Sequence, residues 1–359
     1  MRSRPTMIGG VPVPTFLGHA RDLYRMGPAN NDKLSALRVA VSVAVPGVFL
    51  VLVGRPELMM YAVFGALTGM YGRHESHQLR LKHQGQAAAM LLGGVCIGVA
   101  LSVNHINSWW LVLVEALFAG VGSLYADAVR LKPIGPFFGI LALGACASVP
   151  TNVPWAVAVL IAAASAAFSV VIGFAGWFRR RTWLAGATRN ISLLRGPLNR
   201  AGLVHAARYL LAVGVTGIIG VLTGSGHPHW AMAAAAVPLA GADLPSRVHR
   251  GIHRIVGTFL GLAVVAVVLF PGPLSPLQYF PGHAAVVLAA VVILCQFPTE
   301  LFMARHYGWA MVFFTPVILL VGQLAAPINP GVLVTERAIE TFVGATVGIA
   351  TAVVVQRRR

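Results

Sequence analysis

Apolar runs of about 15 to 25 residues, nearly free of charge, recur along this chain between short polar or basic stretches. Runs of that length fit helices crossing a hydrocarbon core about 30 Å thick. We read twelve, at about 36–54, 57–72, 86–103, 108–126, 133–149, 153–177, 205–224, 229–242, 255–271, 282–297, 306–326 and 331–356. The pattern predicts an all-α, polytopic membrane protein. Two of the runs are short, 57–72 and 229–242; roughly 15 residues rise only about 22 Å and underfill the hydrocarbon. The second of them opens on "GHPHWAMAAAAVP", Gly226 to Pro238.

Short or Gly/Pro-interrupted spans at matching places in two halves point to a transport path, because freed backbone groups must line a cavity. The halves do match. Arg38 followed by sixteen residues to Gly54 parallels Arg208 followed by sixteen to Gly224, and "MYAVFGALTGMYG" (60–72) parallels "HWAMAAAAVPLAG" (229–241). "QAAAMLLG" (86–93) likewise parallels "RIVGTFLG" (254–261). Six spans per half make these parallel repeats about an axis along the membrane normal. The expected organisation is a tail with a possible interfacial helix (1–35), a first repeat (36–177), a basic linker (178–204), a second repeat (205–356) and a tail (357–359).

Composition agrees and adds orientation. Of 359 residues, 57% are hydrophobic and 10% charged, too few charges to cover a soluble fold. The formal charge of +17 by itself admits a nucleic-acid partner, but its distribution does not favour one. Of the 27 lysines and arginines, all but Arg55 and Arg337 fall in the tails, the even-numbered connections or the helix starts beside them. The positive-inside rule then places both termini and the linker in the cytoplasm of a cell-membrane protein. No nucleic-acid partner is expected. The segment "FLGHARDLYRM" carries Phe16, Ala20, Leu23 and Tyr24 on one helical face with Arg21 and Arg25 on another, so it can lie on the membrane surface. The N-terminus has no apolar stretch of a cleavable signal peptide. Cys96, Cys146 and Cys295 fall inside spans and imply no disulfide framework.

"HPHWAMAAAAVPLAGADLPSRVHRGIHRIVGTFLG" resembles the hallmark of the fusaric acid resistance-like (FUSC) family of membrane proteins: a Pro-His/Tyr-Trp-Ala lip, a short helix, a basic loop and Arg-x-x-Gly-Thr-x-x-Gly. "ERAIETFVGATVGIA" resembles the family's last helix through Arg337, Thr341 and Gly344. The resemblance is strong in the second half and fainter in the first. It implies efflux of aromatic carboxylic acids and a distant likeness to plant malate channels. Better-known members carry large cytoplasmic domains, which the short linker and tail here do not match, and a periplasmic adaptor partner is not supported.

Candidate residues follow from charge and position. Arg254 and Thr258 open the ninth span, with Arg247 and Arg250 in the loop before it. A guanidinium there can clamp a carboxylate, or the arginines can snorkel to headgroups while Gly257 and Gly261 let helices approach. Arg38 and Arg208, at matching span starts, can line an anion intake or serve only topology. Ionisable groups inside a span are functional candidates: Glu115 in the fourth, and Glu336, Arg337 and Glu340 in the last. Arg337 can pair with Glu340 at i,i+3, while Glu336 and Glu340 repel, which suits proton coupling. Either group can equally be structural. Tyr61, His229 and Trp230 read as interfacial belt residues or as walls for a planar substrate. The histidine pairs His227/His229, His74/His77 and His249/His253 lack the further ligands of a metal site, and no cofactor is expected. There is no GxxxxGK[ST] loop and no nucleophile elbow, so the chain does not read as an ATPase or a hydrolase.

These readings converge on a membrane transporter that exports organic anions, aromatic carboxylates first, by proton exchange. A passive anion channel and a non-transporting scaffold subunit are the alternatives. The expected partners are a small organic anion and the lipid bilayer, with a homo-oligomer left open.

Overall fold

The computed structural model describes residues 7–8, 11–12, 26–28, 32–151, 153–175 and 198–355. The amphipathic segment around Arg21 and Arg25, most of the basic linker and the arginines 357–359 lie outside the described residues. Among the described residues the regular structure is helical apart from a two-residue antiparallel pairing of Met7–Ile8 with Val11–Pro12. Twelve helices of eight residues or more follow one another among the described residues. The first six are α1 (Asp32–Leu52), α2 (Met59–Ala66, continued as a 3-10 turn over Leu67–Met70), α3 (His77–Val103), α4 (Ser108–Ala128), α5 (Phe137–Ser148) and α6 (Trp155–Phe174). The second six are α7 (Arg200–Leu222), α8 (Pro228–Leu239), α9 (Leu244–Leu269), α10 (Ala284–Met303), α11 (Tyr307–Ala325) and α12 (Pro330–Val354).

Nine of these are long and apolar enough to cross a membrane; α2, α5 and α8 are not. The twelve expected spans are therefore nine long helices and three short apolar ones. The two short runs read from the sequence correspond to α2 and α8, and α5 is short as well. Gly54 and Gly224, at φ 71° and 72°, take left-handed backbone at the turns leading into α2 and α8. Pro56 and Pro228 then open the segments that follow.

The short helices occupy the centre. Every residue of α2 and of α8 is buried, as are Phe137–Cys146 of α5 and most of α11. A helix apolar all round must be covered on all sides, and the longer helices provide the cover. Their outward faces expose Phe49, Leu52, Val121, Leu160, Leu222, Leu294 and Phe342, which lipid accepts and water would not. The central group is thus α2, α5, α8 and α11, ringed by the other eight.

Packing relations in 32–174 have counterparts in 200–354. Helix α2 lies on α6 as α8 lies on α12; α3 on α5 as α9 on α11; and α10 packs on α1 as α4 packs on α7. Small residues make these seams. A Cβ at Gly65 would stand 2.1 Å from the Ala162 carbonyl oxygen, and one at Gly344 would stand 2.1 Å from that of Ala231. Gly94 on Gly139 and Gly257 on Gly308 give the same 2.4 Å approach. Backbones this close are how helices gain contact where lipid offers no hydrophobic drive.

Helices α3 and α9 start at His77 and Leu244, well before the expected 86 and 255. Hydropathy ends a span where arginines begin, yet these arginines are held by protein. Arg80 Nε donates to the Gly72 carbonyl at 3.1 Å, and Arg247 Nε donates to that of Gly241 at 3.0 Å. Asp243 caps α9: its side chain accepts from the Ser246 backbone N–H at 2.8 Å while Ser246 Oγ accepts from the Asp243 N–H at 3.1 Å.

Candidate functional site

Two cavities lie among the central helices, one at each end. The smaller, about 240 Å³, takes the starts of α2 and α8 (Met60, Phe64, His229, Trp230) and the ends of α5 and α11 (Ser148, Leu319, Gln323). The larger, about 460 Å³, takes the ends of α2 and α8 (Met70, Val237) and the starts of α5 and α11 (Phe137, Phe138, Tyr307). So α2 and α8 run against α5 and α11, and each of the four helices serves both cavities. The larger cavity is basic, with Arg73, His74, His83, Lys132 and Arg250 against Glu75.

Buried aromatic rings pack on the helices that the two cavities share. Phe138, on the basic cavity, meets Phe314 edge to face at 5.7 Å, and Tyr71 meets Phe138 at 6.5 Å. Phe314 sits on α11 between Tyr307 of one cavity and Ile318 of the other. All three rings are buried, and such pairs add about 0.5–1.5 kcal/mol beyond their burial.

The lip of the smaller cavity is built from the turn before α8 and the first turns of α12. His227 stacks on Trp230 at 4.3 Å, and the Arg337 guanidinium lies over the Trp230 ring at 5.4 Å. His227 Nδ1 is 2.5 Å from Glu336 Oε2, and the Ser225 hydroxyl donates to Glu340 Oε1. The expected Arg337–Glu340 pairing is thus replaced. Each carboxylate takes a donor from the turn, and Arg337 Nε and Nη1 make no hydrogen bond. A belt role for Tyr61, His229 and Trp230 is also overturned, since all three are buried, Trp230 being the most exposed at 7%. The reason is the inner position of α2 and α8, which turns their aromatic residues toward protein rather than lipid. His229 and Trp230 line the cavity; Tyr61 lines neither.

Glu115 on α4 is fully buried and neither carboxyl oxygen has a hydrogen-bond partner. Both oxygens lie against Gly144 of α5, where the Cβ of His229 also packs. His229 Nδ1 is 2.8 Å from Ser148 Oγ, which is itself 2.8 Å from the Gly144 carbonyl oxygen. A serine has one proton to give; when it goes to the carbonyl, the histidine N–H donates to serine. The sequence showed Glu115 alone. Ser148 and His229 reach it only through the fold, 33 and 114 residues further along.

Arg254 is also fully buried, against the expectation of snorkelling. It lies over the Phe137 ring at 5.2 Å, and its Nη1 donates to Met311 Sδ at 2.9 Å. Its Nε and Nη2, and the Thr258 hydroxyl, have no partner. Arg250 sits over Tyr307 at 5.7 Å on the basic cavity, and both Arg247 and Arg250 are helical rather than in a loop. Arg38 and Arg208 line neither large cavity. Arg38 Nε bonds the Leu34 carbonyl of its own helix at 3.2 Å, and Arg208 Nε bonds that of Val355 at 2.9 Å, beyond the end of α12. The Val355 carbonyl, left open past the C-terminal end of α12, takes such a donor readily.

One cluster was not foreseen. Arg73 pairs with Glu300 and lies 3.7 Å from Asp32, while Arg305 Nε donates to Asp32 Oδ2 at 2.7 Å, so α1 and α10 are tied together at the basic end. Asp32 and Glu300 fall just outside the expected spans 36–54 and 282–297. Their burial shows only once both helices are seen to extend to include them.

Residues 211–351, from within α7 to within α12, match the family model described as fusaric acid resistance protein-like. The "Uncharacterized membrane protein YvaC" of Bacillus subtilis (strain 168) is 22% identical over 157 residues, 44% of this chain and 23% of that protein. The matched part therefore spans less than a quarter of that relative. No solved structure matches the chain.

Proposed function

We propose that this fusaric acid resistance-like, multi-pass membrane protein exports organic anions, aromatic carboxylates among them, from the basic cavity to the cavity under Trp230. The observation that carries the reading is the pair of cavities at opposite ends of the same four helices, with no lining residue in common; in this reading Phe138 and Phe314 close them from each other. An alternating-access carrier needs such a closure, and an open pore does not. With the basic end in the cytoplasm, as the positive-inside rule asks, Arg73, Lys132 and Arg250 gather anions at the side from which they leave. A negative interior already favours anion exit by about 2.3 kcal/mol per charge per 100 mV.

The matched packing of 32–174 and 200–354 supports two parallel repeats, with α2 and α8 flanking the path. Buried guanidinium N–H groups at Arg254 and Arg337, each beside an aromatic ring on a cavity wall, suit a planar carboxylate. Glu115, beside His229, and Glu336 and Glu340, on the lip, are the proton-coupling carboxylates in this reading. In proteoliposomes an imposed pH gradient should drive uptake or release of an aromatic carboxylate. Large anion currents independent of the gradient would instead make the protein a passive channel. No flux of any anion, with folded protein in the membrane, would leave only the scaffold role.

A further inference from the structure

We infer that the cleft between α1, the α2 end, α3 and α6 is a binding site for one small inorganic anion of halide size, separate from the organic-anion path. Three guanidinium groups, Arg38, Arg73 and Arg80, line it together with Ser35, Tyr71 and Gln84. Its free space is about 10 Å³, room for roughly one water-sized particle and too little for a carboxylate with its carbon frame.

Charge balance asks for such a ligand. Four arginines, these three and Arg305, stand against two acids, Asp32 and Glu300, that pair with Arg73 and Arg305. Glu75, whose side chain is 3.1 Å from His83 Nδ1 and whose backbone carbonyl takes Arg80, adds a third carboxylate and still leaves the guanidinium groups one in excess. Arg80 is spent on carbonyls: those of Gly72, Gly173 and Glu75 accept its donors at 3.1, 2.9 and 2.7 Å. It contributes charge, with three of its five N–H groups already on carbonyls. Arg73, 9% exposed, keeps Nη1 free of any hydrogen bond. Ser35 Oγ accepts from Arg38 Nη2 at 3.3 Å, leaving its own proton to donate. Like charges gathered away from water are costly unless an anion sits among them, and these donors suit one. Arg73 also lines the basic cavity, so an anion held here would set the charge at the mouth of the transport path.

The test uses the purified full-length chain in detergent and needs no transport, so its failure leaves the export reading standing and the reverse also holds. Unfolding temperature is followed while sodium chloride or bromide replaces sodium gluconate at constant ionic strength. Chloride and bromide should raise it saturably, as any ligand bound only by the folded state does. In Arg38→Gln the half-saturating chloride concentration should rise about tenfold or more, since a charge-assisted contact is lost. Ser35→Ala, a milder change, should raise it less, and ³⁵Cl line broadening on adding protein should fall in the same order. Equal effects of gluconate and chloride, an equal rise with phosphate, or a chloride response unchanged in both variants would overturn the assignment.

Discussion

The segments 32–174 and 200–354 share their packing and differ in their chemistry. Gly65 on Ala162 and Gly344 on Ala231 make the same 2.1 Å approach, and Arg80 and Arg247 each reach back to a glycine carbonyl before their helix. The charged groups of the two segments, however, are placed differently: Arg73, with an unbonded Nη1, lines the basic cavity from the first segment, whereas the unbonded N–H groups of Arg254 and Arg337 in the second lie beside aromatic rings of the cavity walls. The second segment also carries Glu336 and Glu340, and it is the part that matches the family model. Small residues therefore make matching seams in both segments, while the ionisable residues differ between them: Glu115 and Arg73 in the first, Arg254, Arg337, Glu336 and Glu340 in the second.

The glycine seams offer the largest test of the shared part. Gly344→Val and Gly65→Val should each cost about 3 kcal/mol or more, because a carbonyl oxygen of the facing helix cannot move away from the new side chain. Folded yield after detergent extraction measures this. A tolerated Gly65→Val beside a ruinous Gly344→Val would break the equivalence. Next come the arginines. Arg80→Gln removes charge-assisted bonds to backbone carbonyls worth roughly 1.5–3 kcal/mol each and should lower stability. Arg254→Gln and Arg337→Gln should leave the fold intact and cut export of an aromatic carboxylate about tenfold or more, a loss of about 1.4 kcal/mol or more. Loss of folding rather than flux in these two would sink their role in substrate binding.

Opening the closure should have a smaller effect on fold and a specific one on flux. Phe138→Ala or Phe314→Ala should produce an anion leak that no longer requires a pH gradient, measured as current in planar bilayers. Unchanged impermeability would show that other side chains seal the path. The smallest difference between the copies lies at the starts of α3 and α9. Asp243→Ala should cost roughly 0.5–1 kcal/mol, whereas Ser76→Ala, whose side chain makes no cap bond, should cost close to nothing. The hydrogen bonds from Ser246 hold the exposed Asp243 carboxyl below the usual carboxylate range. Its contribution is then fully present above the ordinary aspartate pKa and is lost as pH falls through the lowered value. A thermal-stability profile of wild type against Asp243→Ala should converge at acid pH.

Much of this was legible in the chain. Hydropathy marked the long helices, and the brevity of 57–72 and 229–242 marked two of the four central elements. Helix α5 escaped notice because an apolar 12-residue helix with apolar flanks reads like a full span until its ends are seen. Trp230 and Tyr61 illustrate a second limit. Aromatic residues near a span end have the same composition whether they face headgroups or a second layer of protein, and only the position of α2 and α8 decides. Asp32 and Glu300 illustrate a third. Each lies at a helix end that hydropathy trims away, and their shared partner Arg73 is far from Glu300 along the chain. The ionisable residues deep inside spans, Glu115, Arg337 and Glu340, were visible because charge in an apolar run is conspicuous. Their surroundings were not, since Ser225, which bonds Glu340, is an ordinary residue in an ordinary turn and Gly144, against Glu115, an ordinary residue of a helix.

The closure at Phe138 and Phe314 is thin compared with the membrane that surrounds it. Water entering the two cavities brings the potential of each bulk phase toward that aromatic contact, so the transmembrane voltage falls over a few side chains rather than over the whole bilayer. In the proposed export, an anion crossing there would meet nearly the full 2.3 kcal/mol per 100 mV in one short step, roughly a fiftyfold bias in direction at 100 mV. The same field acts on any charged side chain that moves with the rings.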